Sequence, residues 1–199
     1  MVKTAVLVSG GGTNLQAILD AQAAGKLPHA DIALVVASRP DAFALTRAER
    51  AGVPHVVLRR EKGMPIQTYG EQLLKLLQGA GIQLVVLAGF LTILPENVIR
   101  AYPKRILNVH PSLIPSFCGA GFYGLKVHQA ALDYGVKVTG ATVHYVNEIP
   151  DGGEIIAQKA VEILPGDTPE TLQRRVMEQA EWLLLPQAVE DVAQTLCEA

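Results

Sequence analysis

Short apolar segments alternate with longer segments of helical periodicity in the first half of the chain, and this alternation restricts the fold more than any other feature. Five apolar runs have the length of strands: Thr4–Val8, Ile32–Ala37, His55–Leu58, Leu84–Ala88 and Ile106–Val109. Strands that are apolar on both faces are typical of a parallel sheet covered by helices on each side. The pattern therefore predicts a doubly wound α/β fold, in which ligands bind at the carboxyl ends of the strands.

Two segments between these runs have the spacing of amphipathic helices. In Asn14–Ala24 apolar residues recur at i, i+3, i+4 and i+8, and Gly25 offers a C-terminal stop. A similar spacing recurs from Ile66 to Leu77. Both segments are expected to lie on the sheet.

The pattern changes after Pro111. A stretch rich in Gly, Ser and aromatic residues leads to a short predicted helix, Leu125–Tyr134. Two strand-like runs follow, Thr139–Val146 and Glu154–Ile163, and a turn between them predicts an antiparallel pair. The mostly parallel sheet is therefore expected to carry an antiparallel extension in the C-terminal half.

A final helix is predicted after Asp167–Glu170, where Asp or Thr caps the helix and Pro occupies its first turn. This helix is expected to run to about Leu184, to break near Pro186 and to resume to the end. Because no internal repeat, low-complexity tract or linker interrupts the chain, residues 1–199 are expected to form a single domain.

The composition is that of a globular protein with its own core. At 199 residues and 49% hydrophobic, the chain is long enough to bury a central sheet between helices. Its 17 basic and 19 acidic residues give a net charge of −2 without a basic block, so neither nucleic acid nor a membrane is expected as a partner. The expected partners are small-molecule substrates, and the expected assembly is a monomer or homodimer.

Cysteine usage and the N-terminal sequence favour the cytoplasm. Cys118 and Cys197 lie far apart without a CxxC motif, which is typical of a reducing compartment. The apolar run after Lys3 is too short for a signal sequence, and the longest apolar stretch, Leu84–Leu94, cannot span a bilayer. We therefore expect a cytoplasmic protein.

A glycine-rich loop, Ser9–Asn14, follows the first predicted strand and opens the first predicted helix. Free backbone amides and the helix dipole at such a position favour phosphate binding. The dinucleotide pattern does not fit, since its third glycine would fall on Leu15, and no Gly-Lys-Ser/Thr of a P-loop follows. A single phosphomonoester is the expected ligand; the alternative is a glycine turn that only lets strand and helix pack closely.

The segment Asn108-Val109-His110-Pro111 ends the fifth predicted strand. Alternate residues of a strand point to the same side, so Asn108 and His110 project together. An amide N–H and a protonated imidazole can both donate hydrogen bonds to a carbonyl oxygen that becomes negative during a reaction. The alternative is a purely structural pair, and the position at the carboxyl end of a strand favours function.

A third candidate, Asp151-Gly152-Gly153, lies between the last two strand patterns. An Asp-Gly pair at such a position is typical of an ordinary hairpin turn, which needs no chemistry. In the functional interpretation Asp151 lies near His110, fixes the orientation of the imidazole and helps to move protons between an attacking amine and a leaving nitrogen.

Two further residues have less support. His144 lies on an alternating strand pattern and is expected to be a hydrogen-bonded core residue. A metal site formed by His110, His144 and Asp151 lacks HExxH or a similar spacing, so no metal is expected. Cys118 is a lone loop cysteine without an evident base, which favours a small structural residue over a nucleophile.

Five segments, in this order along nearly the whole chain, match the motifs of a known enzyme family: Val8–Ile18, Val85–Phe90, Leu107–Pro115, Gly140–His144 and Asp151–Gly153. The chain thereby resembles phosphoribosylglycinamide formyltransferase, which takes a formyl group from 10-formyltetrahydrofolate in purine synthesis. The resemblance implies direct transfer of the formyl group to the substrate amine, with 10-formyltetrahydrofolate as co-substrate and without a metal.

The resemblance also implies roles for particular residues, position by position. It implies a catalytic trio of Asn108, His110 and Asp151. The implied ligands of the ribonucleotide are Gly12, Thr13, Asn14 and Glu181. The implied folate-binding residues are Leu91, Thr92, Ile93, Leu94, Asn108, Val146, Asn147 and Glu148.

Three alternatives remain open at this point. Methionyl-tRNA formyltransferase and formyltetrahydrofolate hydrolase resemble the chain around Asn108, His110 and Asp151, but they carry a C-terminal RNA-binding domain and an N-terminal regulatory domain respectively, and neither is expected here. The third alternative is a non-catalytic phosphate or nucleotide binder that uses only the loop Gly10–Asn14.

Overall fold

A computed structural model describes residues 1–198 of the chain. Seven strands form one sheet: β1 Val2–Val8, β2 Ala30–Ala37, β3 His55–Val57, β4 Leu84–Leu87, β5 Ile106–His110, β6 Val138–Tyr145 and β7 Ile155–Glu162. The helices are α1 Thr13–Ala23, α2 Ala44–Arg50, α3 Ile66–Gly79, α4 Glu96–Ala101, α5 Leu125–Tyr134, α6 Pro169–Val176 and α7 Trp182–Glu198. A π-helical segment, Met177–Glu181, connects α6 to α7.

The strand order is β3-β2-β1-β4-β5-β6-β7. β1 pairs in parallel with both β2 and β4, and β2 pairs in parallel with β3. β6 and β7 are antiparallel. The prediction of a mostly parallel, doubly wound sheet with an antiparallel extension is therefore confirmed. The order reverses next to β1, and the loop that follows β1 lies at this switch point, where α/β proteins of this kind bind ligands.

The contacts divide the chain into two compact units. The first comprises Met1–Leu107 and the C-terminal stretch from Val189. Its core includes the predicted apolar stripe of α1, since Leu15 and Ile18 are fully buried. Glu190 fixes the C-terminal stretch within this unit, because its carboxylate accepts a hydrogen bond from the backbone N–H of His29 at 3.2 Å and lies 2.5 Å from Nδ1 of the His29 ring.

The second unit, Asn108–Ala188, contains the antiparallel pair and helices α5 and α6. Its core is formed by apolar residues from these elements, namely Val127, Ala131, Ala141, Val143, Leu172 and Val176. The cap predicted for the final helical region is confirmed: Thr168 accepts a hydrogen bond from the backbone N–H of Thr171, and Pro169 is the first residue of α6. The single-domain organisation stays a prediction.

The predicted break near Pro186 is wrong. α7 continues through Pro186, and the irregular segment is the π-helix Met177–Glu181 that precedes it. Proline lacks the amide hydrogen that would bond to the carbonyl one turn earlier. Here Pro186 lies near the start of α7, soon after the bonding changes from i→i+5 to i→i+4. The hydrogen bond that Pro186 cannot make is therefore missing only from the first turns of α7, and the helix continues. Within residues 1–198, no helix is both long and apolar enough to cross a membrane.

Candidate active site

His110 and Asp151 face each other in the second unit. His110 is the last residue of β5, and its Nδ1 lies 3.5 Å from Oδ2 of Asp151. Its other ring nitrogen, Nε2, lies 2.9 Å from the carbonyl oxygen of Phe117. Both ring nitrogens therefore face acceptors, and the protonated imidazole can donate to both at once. These two contacts hold a buried ring in one orientation.

Asp151 lies in the connection between β6 and β7, with a backbone φ of 54°. Aspartate tolerates this left-handed conformation better than most residues. Its Oδ2 accepts a hydrogen bond from the backbone N–H of Gly119 at 2.8 Å. Burial alone would raise the pKa of Asp151, but His144, His110 and the Gly119 amide together hold it below its ordinary value. The carboxylate is therefore ionised at neutral pH.

Asn108 is oriented by His144. Its Nδ2 donates to Nε2 of His144 at 3.1 Å and approaches Oδ1 of Asp151 at 3.5 Å. The other nitrogen of His144, Nδ1, lies 2.8 Å from the carbonyl oxygen of Tyr145. Because a carbonyl oxygen only accepts, Nδ1 carries a proton, and because the amide nitrogen of Asn108 only donates, Nε2 serves as its acceptor; Nε2 also lies 3.7 Å from Oδ1 of Asp151. The amide group of Asn108 thus faces the carboxylate rather than turning away from it.

His144, which the sequence predicts to be a structural core residue, contacts one of the candidate catalytic side chains. His144 is buried and hydrogen-bonded, as predicted, but its partner is the amide of Asn108. The register between β6 and β7 shifts between Val143 and His144, and such bulges commonly re-aim a side chain beside a functional site. No sequence signal marks this shift. Backbone contributions from Phe117 and Gly119 were also missed, since they depend on the path of the loop.

Two more side chains near this cluster are uncharged. Burial, followed by the nearby His110, lowers the pKa of His128 to about 4, so this fully buried histidine of α5 is neutral. Burial and then the charge of Asp151 raise the pKa of the Cys118 thiol. A raised pKa disfavours the thiolate, which agrees with the expectation that Cys118 is not a nucleophile. Among the described residues, no group of three His, Cys, Asp or Glu side chains is arranged to hold a metal ion.

The predicted phosphate loop lies in the first unit, between β1 and α1. Gly12 is the residue before α1 and has a φ of 72°. A Cβ at this position would lie 2.7 Å from Cβ of Ala44, so only glycine fits between the loop and α2. Thr13 and Asn14 form the start of α1, where the backbone N–H groups point out of the end of the helix. Cβ atoms at Gly10 and Gly11 would instead point into open space.

The residues that follow β4 and are expected to bind folate differ in their exposure to solvent. Leu91 and Ile93 are 65% and 78% exposed, which is unusual for large apolar side chains, whereas Leu94 is buried. Thr92 between them is half-buried. The backbone N–H of Leu91 donates to Oγ of Ser9, so this segment is fixed to the end of β1 within the first unit.

The remaining predicted ligand residues lie in the second unit. Glu181 is buried and ends the π-helical segment, a type of irregularity that is frequent at functional sites. Val146 is half-buried and Glu148 is exposed. Asn147 braces the connection to β7, because its side chain accepts from the N–H of Ile149 and donates to the carbonyl of Gly152.

An amide donor, an imidazole and an ionised carboxylate thus lie together at the end of a strand in a doubly wound α/β protein. Groups of these three kinds can donate hydrogen bonds to an oxyanion and move a proton, the two tasks that transfer of an acyl-type group requires. The chain belongs to the formyl transferase family, whose family model matches residues 2–189.

Named relatives support this membership. The chain is 39% identical over 197 residues to the chloroplastic phosphoribosylglycinamide formyltransferase of Arabidopsis thaliana, covering 98% of this chain and 65% of the relative. It is 40% identical to the phosphoribosylglycinamide formyltransferase of Haemophilus influenzae, covering 90% of this chain and 82% of the relative. The chain therefore spans less than two thirds of the plant protein but most of the bacterial one.

A solved structure agrees with the sequence relatives. The crystal structure of glycinamide ribonucleotide transformylase 1 from Symbiobacterium toebii superimposes with a TM-score of 0.92 at 41% identity, covering 98% of this chain and 89% of that one. The resemblance stated from the sequence motifs is therefore confirmed.

Proposed function

We propose that the protein transfers the formyl group of 10-formyltetrahydrofolate to the amine of 5-phosphoribosylglycinamide in purine biosynthesis. The observation that carries the proposal is the approach of His110 Nδ1 to within 3.5 Å of Asp151 Oδ2, with the Asn108 amide on the other carboxylate oxygen, in a chain of the formyl transferase family. The expected compartment stays the cytoplasm, and the expected assembly a monomer or homodimer.

Asn108 and His110 would stabilise the negative oxygen of the tetrahedral intermediate. The substrate amine attacks the formyl carbon, a C–N bond forms, and the carbonyl oxygen becomes an oxyanion. The Asn108 amide and a protonated His110 can both donate to this oxygen, which would take the place of their present acceptors, Oδ1 of Asp151 and the carbonyl oxygen of Phe117. Loss of one such donor costs about 3 to 4 kcal/mol of transition-state stabilisation.

Asp151 would move the proton. The attacking amine loses a proton as the bond from the formyl carbon to the folate nitrogen breaks, and that nitrogen gains one. An ionised carboxylate beside His110 can accept the first proton, directly or through water, and return it. The reaction needs neither a metal nor a covalent enzyme intermediate, because the amine is itself the nucleophile. Holding the two substrates together can contribute about 7 to 11 kcal/mol.

The two substrates would be held by separate sets of residues. The ribonucleotide phosphate is assigned to the loop and start of α1, and the ribose hydroxyls to a carboxylate; these residues are Gly12, Thr13, Asn14 and Glu181. The folate is assigned to Leu91, Thr92, Ile93, Leu94, Asn108, Val146, Asn147 and Glu148. The exposure of the apolar side chains of Leu91 and Ile93 supports their assignment to a surface that binds an apolar ring.

The test mixes purified protein with 10-formyltetrahydrofolate, with and without the ribonucleotide. Tetrahydrofolate is followed by absorbance and the formylated ribonucleotide by mass. We expect deformylation that depends on the ribonucleotide and yields its formyl adduct. Deformylation without the ribonucleotide would indicate a hydrolase, and absence of reaction in both mixtures would refute formyl transfer.

Variants test the trio separately from substrate binding. His110→Ala and Asp151→Asn are expected to lower turnover by orders of magnitude and to leave ribonucleotide affinity within about three-fold, because neither residue is assigned to that ligand. His55→Ala, a change of an exposed histidine on β3, is the control and should retain full turnover. A comparable loss of ribonucleotide binding in either trio variant would contradict the assignment.

A further inference from the structure

The carbonyl groups of the three consecutive loop glycines are all engaged within the first unit. Gly10 O accepts from the backbone N–H of Ala44 at 3.1 Å, and Gly12 O accepts from the N–H of Gln16 at 2.9 Å. Between them, Gly11 O accepts from a side chain: Nε of Arg47 donates to it at 2.8 Å. Two of these three hydrogen bonds have backbone donors, whereas the donor of the third is the side chain of Arg47.

These bonds determine where the loop amides point. In a planar trans peptide the carbonyl oxygen and the following N–H point in opposite directions. The bonds from Arg47 to Gly11 O and from Ala44 N to Gly10 O therefore direct the N–H groups of Gly12 and Gly11 away from α2. Gly12 O instead accepts from Gln16 within α1, so the N–H of Thr13 points out of the start of that helix. Successive N–H groups that point to one side form a concave anion site.

Arg47 is itself fixed by two further contacts. Its Nη1 donates to Oε1 of Gln16 at 2.9 Å, and Nε2 of Gln16 donates to Asp20 at 2.8 Å. The guanidinium carbon also lies 5.1 Å from the centroid of the Phe43 ring. The guanidinium group thus bridges α2, the loop and α1 with a geometry that a flexible ammonium group cannot reproduce.

We propose that Arg47 is a positioning residue for the ribonucleotide phosphate: it orients the Gly11–Gly12 peptide so that the loop amides converge on the anion. This inference rests on the proposed function, in which the loop binds that phosphate. Arg47 acts through the backbone and also adds a positive charge behind the loop, whereas the trio acts on the formyl group.

The test measures ribonucleotide binding by calorimetry in the absence of a formyl donor, so that the result does not depend on turnover. Arg47→Met keeps the aliphatic stem and removes the donors; we expect it to raise the Kd by about ten-fold, the size of one good hydrogen bond. Arg47→Lys keeps the charge without the planar fork and should raise the Kd by about five-fold. Arg50→Met is the matched control, since Arg50 lies over the same Phe43 ring at 6.0 Å.

A second measurement separates positioning from a general structural effect. With the ribonucleoside that lacks the phosphate as substrate, kcat/KM of Arg47→Met should stay within about two-fold of wild type, as should kcat with the ribonucleotide and the KM for 10-formyltetrahydrofolate. Equal losses with both substrates, or the same loss in Arg50→Met, would overturn the role of Arg47. Unchanged binding in Arg47→Met would overturn it as well, while the proposed function would stand. Failure of the wild type to bind the ribonucleotide would overturn both.

Discussion

The two nitrogens of His144 have different partners, and two substitutions can separate them. Nδ1 donates to Tyr145 O, and Nε2 accepts from Asn108. The side-chain amide of asparagine lies at about the position of the histidine Nδ1. The side-chain amide of glutamine, one methylene longer, lies at about the position of Nε2. His144→Asn therefore keeps the bond to Tyr145 and loses the acceptor for Asn108, and His144→Gln does the reverse.

The magnitude follows from what Asn108 contributes. A complete loss of one oxyanion donor costs about 3 to 4 kcal/mol, which is an upper limit here because Asn108 remains present. Loss of its 3.1 Å anchor leaves the amide free to rotate away from Asp151. We expect His144→Asn to lower kcat by about 10- to 100-fold, that is about 1.4 to 2.7 kcal/mol, and His144→Gln to stay within about five-fold.

Stability provides the control. Each variant removes one buried hydrogen bond, so both should lose about 1 to 2 kcal/mol in the free energy of unfolding. The assay is kcat at saturating concentrations of both substrates, together with urea denaturation of the same preparations. Equal kcat values for the two variants, at equal stability, would refute the idea that His144 orients the catalytic amide.

Other predictions concern the glycines and Asp151. Gly12→Ala should lose about 3 kcal/mol of stability in urea, because its Cβ would meet Ala44 at 2.7 Å, while Gly10→Ala should lose less than about 1 kcal/mol, since no atom lies within 4 Å. Gly153→Ala should lose at least about 3 kcal/mol, because its Cβ would lie 1.6 Å from the carbonyl oxygen of Tyr145. The pKa of Asp151 is lower in the folded state than its ordinary 3.8, so its ionised form stabilises the fold above that value and the stabilisation is lost as the pH falls through the folded-state pKa. Urea midpoints should accordingly fall more steeply for wild type than for Asp151→Asn between about pH 5 and pH 2; parallel curves would contradict the shift.

The parallel sheet could be predicted because its central strands β1 and β4 are apolar on both faces, and the long helices because their apolar stripes are regular. The helices α2 and α4 were missed, since seven and six residues give too few turns for a period to be recognised. Alternation along β5 was enough to place Asn108 and His110 on one side of a strand. The approach of Phe117 O and Gly119 N could not be predicted, because backbone groups carry no residue signal and meet the site only through the tertiary path of the loop.

The ambiguous Asp-Gly-Gly motif shows why the structural and the functional interpretation need not exclude each other. Asp151 adopts a left-handed φ, and Gly153 lets the chain pass directly against the carbonyl of Tyr145. That same carbonyl accepts a hydrogen bond from Nδ1 of His144 and so orients the ring whose Nε2 contacts the amide of Asn108. The turn therefore positions the carboxylate directly and the amide indirectly. A larger residue at Gly153 should disturb stability and amide orientation together, whereas substitution of His144 can separate them.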